Sequence, residues 1–352
     1  MQNMYLHGGD VYRRPVELDF SINVNPFGMP EAVRQAAMEG VRQSERYPDW
    51  AAEKLCRAAA ERFQLPVSAV LPGNGAAELI YALTSALRPR RGFVLAPGFM
   101  EYEQALAAQK ARVYRIPLRE EENYQPDVSE ILTALDEMGE EDLLFLCNPN
   151  NPTGTVLPRE QLLLILEKVE QKNAYLIMDE CFLPFLLEEE ALTLVPWLTS
   201  HPRLCILRAL TKIYAMPGLR LGLLLNGNEE LIHRIRQQLQ PWNVSVPAQL
   251  AGEKAFSQKD YVEKTKRYIA AERACLVGEM RSLCEKVFPG SGNFIFFRAD
   301  PALGPGLLER GILIRDCSSF AGLRKGDYRI CVGKHEDNLT VLERWREWQN
   351  PS

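Results

Sequence analysis

The sequence predicts an α/β protein: a mostly parallel sheet covered by helices, with a smaller α+β domain attached. Two observations predict it. From about residue 70 to residue 225 short apolar runs alternate with helical patterns, as strand–helix–strand units require. After Gln240 the alternation gives way to long charged helices and three further strand-like runs. The first strand signal is Ala69-Val70-Leu71, followed by a Pro72–Gly75 turn and the helical pattern L-I-Y-A-L-T-S-A-L. Further strands are expected at 93–96, 111–118, 143–147, 175–178, 203–207 and 221–225, and a sheet-packing helix at 159–172, where L-L-L-I-L-E-K-V supplies the apolar face. In the tail, 294–298, 312–316 and 328–332 read as strands. A final helix carries Trp345 and Trp348 on one face as core anchors. The expected division is a large domain over 31–240 and a small one formed by 1–30 with 241–352.

Composition narrows the class. The chain has 352 residues, 46% hydrophobic and 25% charged, the balance of a soluble globular protein. A net charge of −5 without a dense basic stripe argues against nucleic-acid binding. The acidic runs 120–122, 140–142 and 188–190 read as solvated loops. Eight scattered cysteines without a C-x-x-C pair read as reduced, buried thiols. The N-terminus lacks the apolar core of a signal peptide and no apolar run reaches membrane-spanning length, so a cytoplasmic location and no membrane partner are expected. Four histidines, none spaced with other ligands, give no reason to expect a metal.

Three segments carry chemistry: N-P-N-N-P-T-G at 148–154, M-D-E at 178–180 and L-T-K-I-Y-A-M-P-G-L-R-L-G at 210–222. Taken singly, a Lys, Asp or Asn at a strand end is ordinarily a solvated or capping residue. Taken together, and at the carboxyl ends of predicted strands where α/β sheets bind ligands, they describe a pyridoxal phosphate (PLP) site. Lys212 is the expected imine lysine, its neutral form favoured by Arg220 and by shelter from water. Asp179 would face the ring nitrogen and keep it protonated through a charge-assisted hydrogen bond. Asn151 would donate to the ring oxygen, while Arg220 and Thr211 would hold the phosphate. The turn ending in Gly75, with Ala76 and Ala77 opening a helix, would add backbone N–H donors.

With those motifs stand H-G-G-D at His7, D-F-S-I-N-V-N-P-F-G at Asp19, E-R-Y-P-D at Glu45, G-N-G-A-A-E at Gly73 and P-G-F-M-E-Y at Pro97. The chain thereby resembles fold-type I PLP enzymes of the histidinol-phosphate aminotransferase group, nearly end to end. The His7 and Asp19 segments resemble its threonine-phosphate decarboxylase branch of cobalamin biosynthesis. The resemblance implies a mostly parallel seven-stranded sheet and a homodimer. It implies that Phe99 stacks on the cofactor ring and that Tyr47 reaches the PLP phosphate of the neighbouring subunit. It also implies that Arg329 clamps the substrate carboxylate and that Arg315 meets a substrate phosphate with His7 and Asn23. Two departures stand out. Phe182 replaces the usual Tyr, leaving Asn151 more of the ring-oxygen contact. Ala76 and Ala77 replace residues that are commonly acidic or polar, so that backbone donors must serve.

The expected reaction is decarboxylation of an O-phosphorylated amino acid, L-threonine O-3-phosphate, to (R)-1-amino-2-propanol O-2-phosphate. The alternatives are decarboxylation of L-serine O-phosphate and transamination of histidinol phosphate. One methyl group separates the two amino acids, worth only about 1–3 kcal/mol in a pocket. A PLP-fold protein without catalysis is the non-enzymatic alternative, and retention of Lys212, Asp179, Asn151 and Arg220 together argues against it.

Overall fold

The computed structural model describes residues 7–13 and 15–350. The stretch 1–6, read above for a leader, lies outside them. Thirteen strands occur in chain order among the described residues: β1 (Leu18–Asp19), β2 (Val70–Gly73), β3 (Arg91–Ala96), β4 (Arg112–Pro117), β5 (Leu143–Cys147), β6 (Tyr175–Asp179), β7 (Leu204–Ala209), β8 (Gly222–Leu225), β9 (Lys286–Val287), β10 (Phe294–Arg298), β11 (Ile312–Leu313), β12 (Arg315–Asp316) and β13 (Asp327–Cys331). Seven form one sheet in the order β2-β8-β7-β6-β5-β3-β4. Its pairings are parallel except those of β8, which runs against both β2 and β7.

The central strands are apolar without interruption because both of their faces are covered. Alternate residues divide into two cores. Leu144, Leu146, Leu176, Met178, Leu204 and Ile206 join one; Leu143, Phe145, Tyr175, Ile177, Cys205 and Leu207 join the other. On the first face lies helix Arg159–Gln171, which buries Leu162, Ile165, Leu166 and Val169 at the spacing of one helical stripe. On the second lies helix Ala76–Leu87, burying Leu79, Ile80, Leu83 and Leu87. The carboxyl ends of β2, β5, β6 and β7 and the start of β8 therefore share one edge of the sheet.

The C-terminal part holds an antiparallel sheet of order β12-β13-β10-β9 and a parallel β1–β11 pair. The single strand expected at 312–316 is in fact two. Ile312 and Leu313 pair with Leu18 and Asp19 from the N-terminal segment, whereas Arg315 and Asp316 pair with β13. Two different partners break the run at Ile314. In helix His335–Gln349, Trp345 is fully buried and Trp348 packs partly buried against the core.

The acidic runs are not wholly solvated, because each commits one member to an arginine. Glu120 pairs with Arg298. Buried Asp142 accepts from Arg91 Nε at 2.7 Å. Buried Glu189 lies 2.9 Å from Arg208 Nη1 and 3.0 Å from Lys266 Nζ. A charge taken from water needs such a partner. Of the eight cysteines six are buried, while Cys275 is exposed and Cys284 intermediate. No helix among the described residues is long and apolar enough to cross a membrane.

Candidate active site

One pocket opens at the shared sheet edge, and thirteen of the expected site residues line it: His7, Asn23, Gly75, Ala76, Ala77, Phe99, Asn151, Asp179, Thr211, Lys212, Arg220, Arg315 and Arg329. Tyr47 does not. It is 77% exposed and stacks on Trp242 with ring centroids 4.4 Å apart.

Lys212 lies in a one-turn helix, Leu210–Ile213, directly after β7. That turn is pinned from the N-terminal segment: Asn25 N–H donates to the Lys212 carbonyl at 3.1 Å, and Asn25 Nδ2 donates to the Ile213 carbonyl and Thr265 Oγ1, both at 2.8 Å. Burial lowers the Lys212 pKa, and the cations Arg329 and Arg220 lower it further. The shift favours the neutral amine, the form able to attack a carbonyl.

Asp179 ends β6 and lines the pocket, and each of its oxygens accepts a hydrogen bond that fixes the carboxylate. Oδ1 accepts from Cys181 N–H at 2.9 Å, and Oδ2 accepts from the Tyr102 hydroxyl at 2.5 Å. Burial, with Asp179 beside it, pushes the Tyr102 phenol well up, so it stays a donor. Tyr102 in turn stacks on Phe145 at 4.7 Å and meets Phe99 edge-on at 5.4 Å. Sequence reasoning missed both Asn25 and Tyr102. Each sat inside a motif that had been quoted, but neither touches the pocket and only the folded chain shows what it holds.

Asn151 lies in the loop after β5, not at its last residue. Asn148 closes that loop on Leu157 through both amide atoms, at 2.8 and 3.0 Å, and Asn150 Nδ2 ties it to the Pro97 carbonyl at 3.1 Å, beside Phe99. The Asn151 amide is oriented by Arg329, whose Nη1 donates to Oδ1. Because arginine can only donate, Asn151 Nδ2 is left to donate into the pocket.

The phosphate end is built by close approach. Arg220 has a left-handed backbone (φ 56°), an unfavourable state for a side-chain-bearing residue that often marks a functional site. A Cβ added to Gly75 would lie 2.6 Å from Arg220 Nη2, and one on Gly222 would lie 2.4 Å from Ala76 N. The two glycines thus let the guanidinium and the opening of helix Ala76–Leu87 share one small space. The helix has no side-chain cap there, and its first N–H groups have no intrahelical acceptor. An anion placed between this turn and Arg220 would meet both. The groups present fit PLP: a lysine whose neutral form is favoured, a held carboxylate, an amide donor and an anion cradle. Phe182 stands packed edge-on against Phe294, 5.1 Å away, with no hydroxyl to offer.

The other end of the pocket is cationic. Arg315 and Arg329 are direct cross-strand partners on β12 and β13, both buried. Arg315 Nη2 donates to Ser319 Oγ at 3.2 Å, and Arg329 Nη2 donates to the Ser21 carbonyl at 3.0 Å. Among the described residues neither is salt-bridged to a carboxylate. Burial lowers both pKa values, Arg329 to about 10. Nearby, Asn23 is buried with neither amide atom bonded. Like charges directly opposite on a sheet are unfavourable, and an anion bound between them relieves the repulsion.

A seven-stranded sheet of this order, with its pocket at the carboxyl edge, is the fold-type I architecture of PLP-dependent enzymes. The chain belongs to the aminotransferase class I and II family, matching it over residues 15–344. It is 39% identical over 332 residues to threonine-phosphate decarboxylase of Salmonella typhimurium, covering 92% of this chain and 89% of that one. It is 34% identical to a putative threonine-phosphate decarboxylase of Caldanaerobacter subterraneus, covering 97% and 93%. Among solved structures, histidinol-phosphate aminotransferase from Clostridium acetobutylicum superposes with a TM-score of 0.88 at 27% identity, over 95% of this chain and 100% of that one. The family implies PLP as cofactor.

Proposed function

We propose that this chain is a PLP-dependent carboxy-lyase that converts L-threonine O-3-phosphate to (R)-1-amino-2-propanol O-2-phosphate, in cobalamin biosynthesis. The observation that carries the reading is the pair of buried, carboxylate-free arginines, Arg315 and Arg329, on adjacent strands of one pocket. A substrate with one anion asks for one such arginine; a phosphorylated amino acid asks for two. The similarity to the Salmonella typhimurium and Caldanaerobacter subterraneus proteins supports the same choice.

When bound, the cofactor supplies an electron sink for the substrate bond held perpendicular to its ring. The chain decides which bond that is. Arg329 would grip the substrate carboxylate and set its orientation, while Arg315, with His7 and Asn23 beside it, would hold the substrate phosphate at the far end of the pocket. Asp179 would hold a proton on the ring nitrogen, Asn151 Nδ2 would donate to the ring oxygen, and Thr211, Arg220 and the 75–77 turn would keep the cofactor phosphate. Lys212 would bind the cofactor through its side-chain amine, and the same amine would return a proton to the substrate Cα. Tyr47, exposed and stacked on Trp242, would reach the cofactor phosphate of a second copy in a homodimer. The division into a large domain (31–240) and a small one (1–30 with 241–352) is supported by the β1–β11 pairing, although helix Val246–Ala255 packs back on helix Glu31–Arg42.

The expected result for Arg315→Ala is a KM for phosphorylated substrate raised by roughly 10- to 150-fold, the equivalent of about 1.5–3 kcal/mol for a lost charge-assisted hydrogen bond, with kcat far less affected. Steady-state kinetics check it. An unchanged KM would remove Arg315 from substrate binding and contradict a phosphorylated substrate.

A further inference from the structure

Glu101 is a pocket carboxyl that the mechanism above leaves without a task. It sits in the first turn of helix Met100–Ala108, lines the same cavity as His7, Asn23 and Arg315, and its side chain is 12% exposed. Oε1 lies 3.1 Å from His7 Nε2; Oε2 is buried and has no hydrogen-bond partner. A carboxylate here would face the incoming phosphate and repel it. A carboxylic acid would instead have a proton to give.

We propose that Glu101 is a specificity-determining member of the substrate-phosphate subsite, a carboxyl that carries a proton in the complex and donates it from Oε2 to a phosphate oxygen. This rests on the phosphate subsite proposed above. The ionisation of the group agrees with the geometry. Burial raises the Glu101 pKa to about 7, with Asp179 also raising it, against lowering by its own backbone N–H, Arg315 and Lys212. His7 is pushed the other way, by burial first and then by Arg315 and Lys212. A neutral His7 Nε2–H then donates to Oε1, the carbonyl oxygen of the acid, and leaves the Oε2 hydroxyl facing the pocket. The groups facing Glu101 are His7 on the N-terminal segment, Arg315 on β12, Lys212 after β7 and Asp179 at the end of β6.

The consequence is that the complex with a phosphate monoester holds one proton between Glu101 and the phosphate. Its second pKa is about 6, so above that pH the ligand is a dianion and the proton must come with Glu101. Below pH 7 Glu101 already holds it. Above pH 7 the carboxylate must first be protonated, and apparent affinity falls by about tenfold per pH unit.

The test compares the PLP-loaded protein with Glu101→Gln, measuring KM from pH 6 to 9 with L-threonine O-3-phosphate and with histidinol phosphate. The amide keeps a donor but cannot ionise. The parent is expected to show a KM nearly flat to pH 7 and rising about tenfold per unit above it, and the rise is expected to be absent in Glu101→Gln. Calorimetry of inorganic phosphate binding at pH 8, in buffers of different ionisation enthalpy, gives a readout that needs no turnover: uptake of about one proton more by the parent than by the variant. Either phosphorylated amine turned over, with the same pH dependence in both proteins and equal proton uptake, would overturn the role of Glu101 and leave the proposed function standing. No turnover of either amine and no phosphate binding at any pH would overturn both.

Discussion

Replacing Lys212 with alanine is expected to lower turnover by roughly 10^3-fold or more, toward the upper end of what a lost proton-transfer group costs. The variant should still fold. Lys212 is reached from solvent through the pocket, and its turn is held by backbone contacts to Asn25 and by Asn25 Nδ2, none of which involves the Lys212 side chain. Lys212→Arg should be equally inactive, because an arginine stays protonated and cannot attack an aldehyde. Borohydride reduction of the PLP-loaded parent, followed by peptide mapping, should place the pyridoxyl group on Lys212. Label on another lysine would contradict the site.

Asp179→Ala is expected to cut kcat by roughly 100-fold while weakening cofactor retention by less than about tenfold, since a charge-assisted hydrogen bond contributes about 1.5–3 kcal/mol. The separation follows from the layout of the pocket. The anion cradle of Arg220 and the Gly75 turn is built from other elements and does not depend on Asp179. The carboxylate lost is the one held by Tyr102 and Cys181. Alanine would also strand the buried Tyr102 hydroxyl, at about 1–3 kcal/mol of stability. Asp179→Asn, which can still accept from Tyr102, separates that cost from the catalytic one. Spectroscopic titration with PLP and steady-state kinetics report the two quantities independently. Equal loss of both in Asp179→Asn would make Asp179 chiefly a structural residue.

Much of the site was legible in the sequence because its members end or follow apolar strands, and strand ends in a doubly covered sheet are easy to find. Asn151, Asp179 and Lys212 are of this kind, while Arg220 stands just before β8. The cross-strand meeting of Arg315 and Arg329 was not legible. It depends on a run that breaks at Ile314 when Leu18 and Asp19 pair with its first half, a contact nearly three hundred residues distant in the chain. Glu189 and Asp142 were misread for a related reason: a charged residue in an acidic run looks solvated until the arginine that buries it is known. Glu101 escaped notice because one glutamate in a helix's first turn is ordinary. Its environment comes from His7 and Arg315, which lie at opposite ends of the sequence.

The most direct measurement of the proposed reaction uses L-threonine O-3-phosphate labelled at its carboxyl carbon, incubated with PLP-loaded protein and no keto acid. One labelled carbon dioxide released per aminopropanol phosphate formed is the predicted result. The absence of labelled carbon dioxide, together with 2-oxoglutarate-dependent consumption of histidinol phosphate, would contradict it and make the chain an aminotransferase.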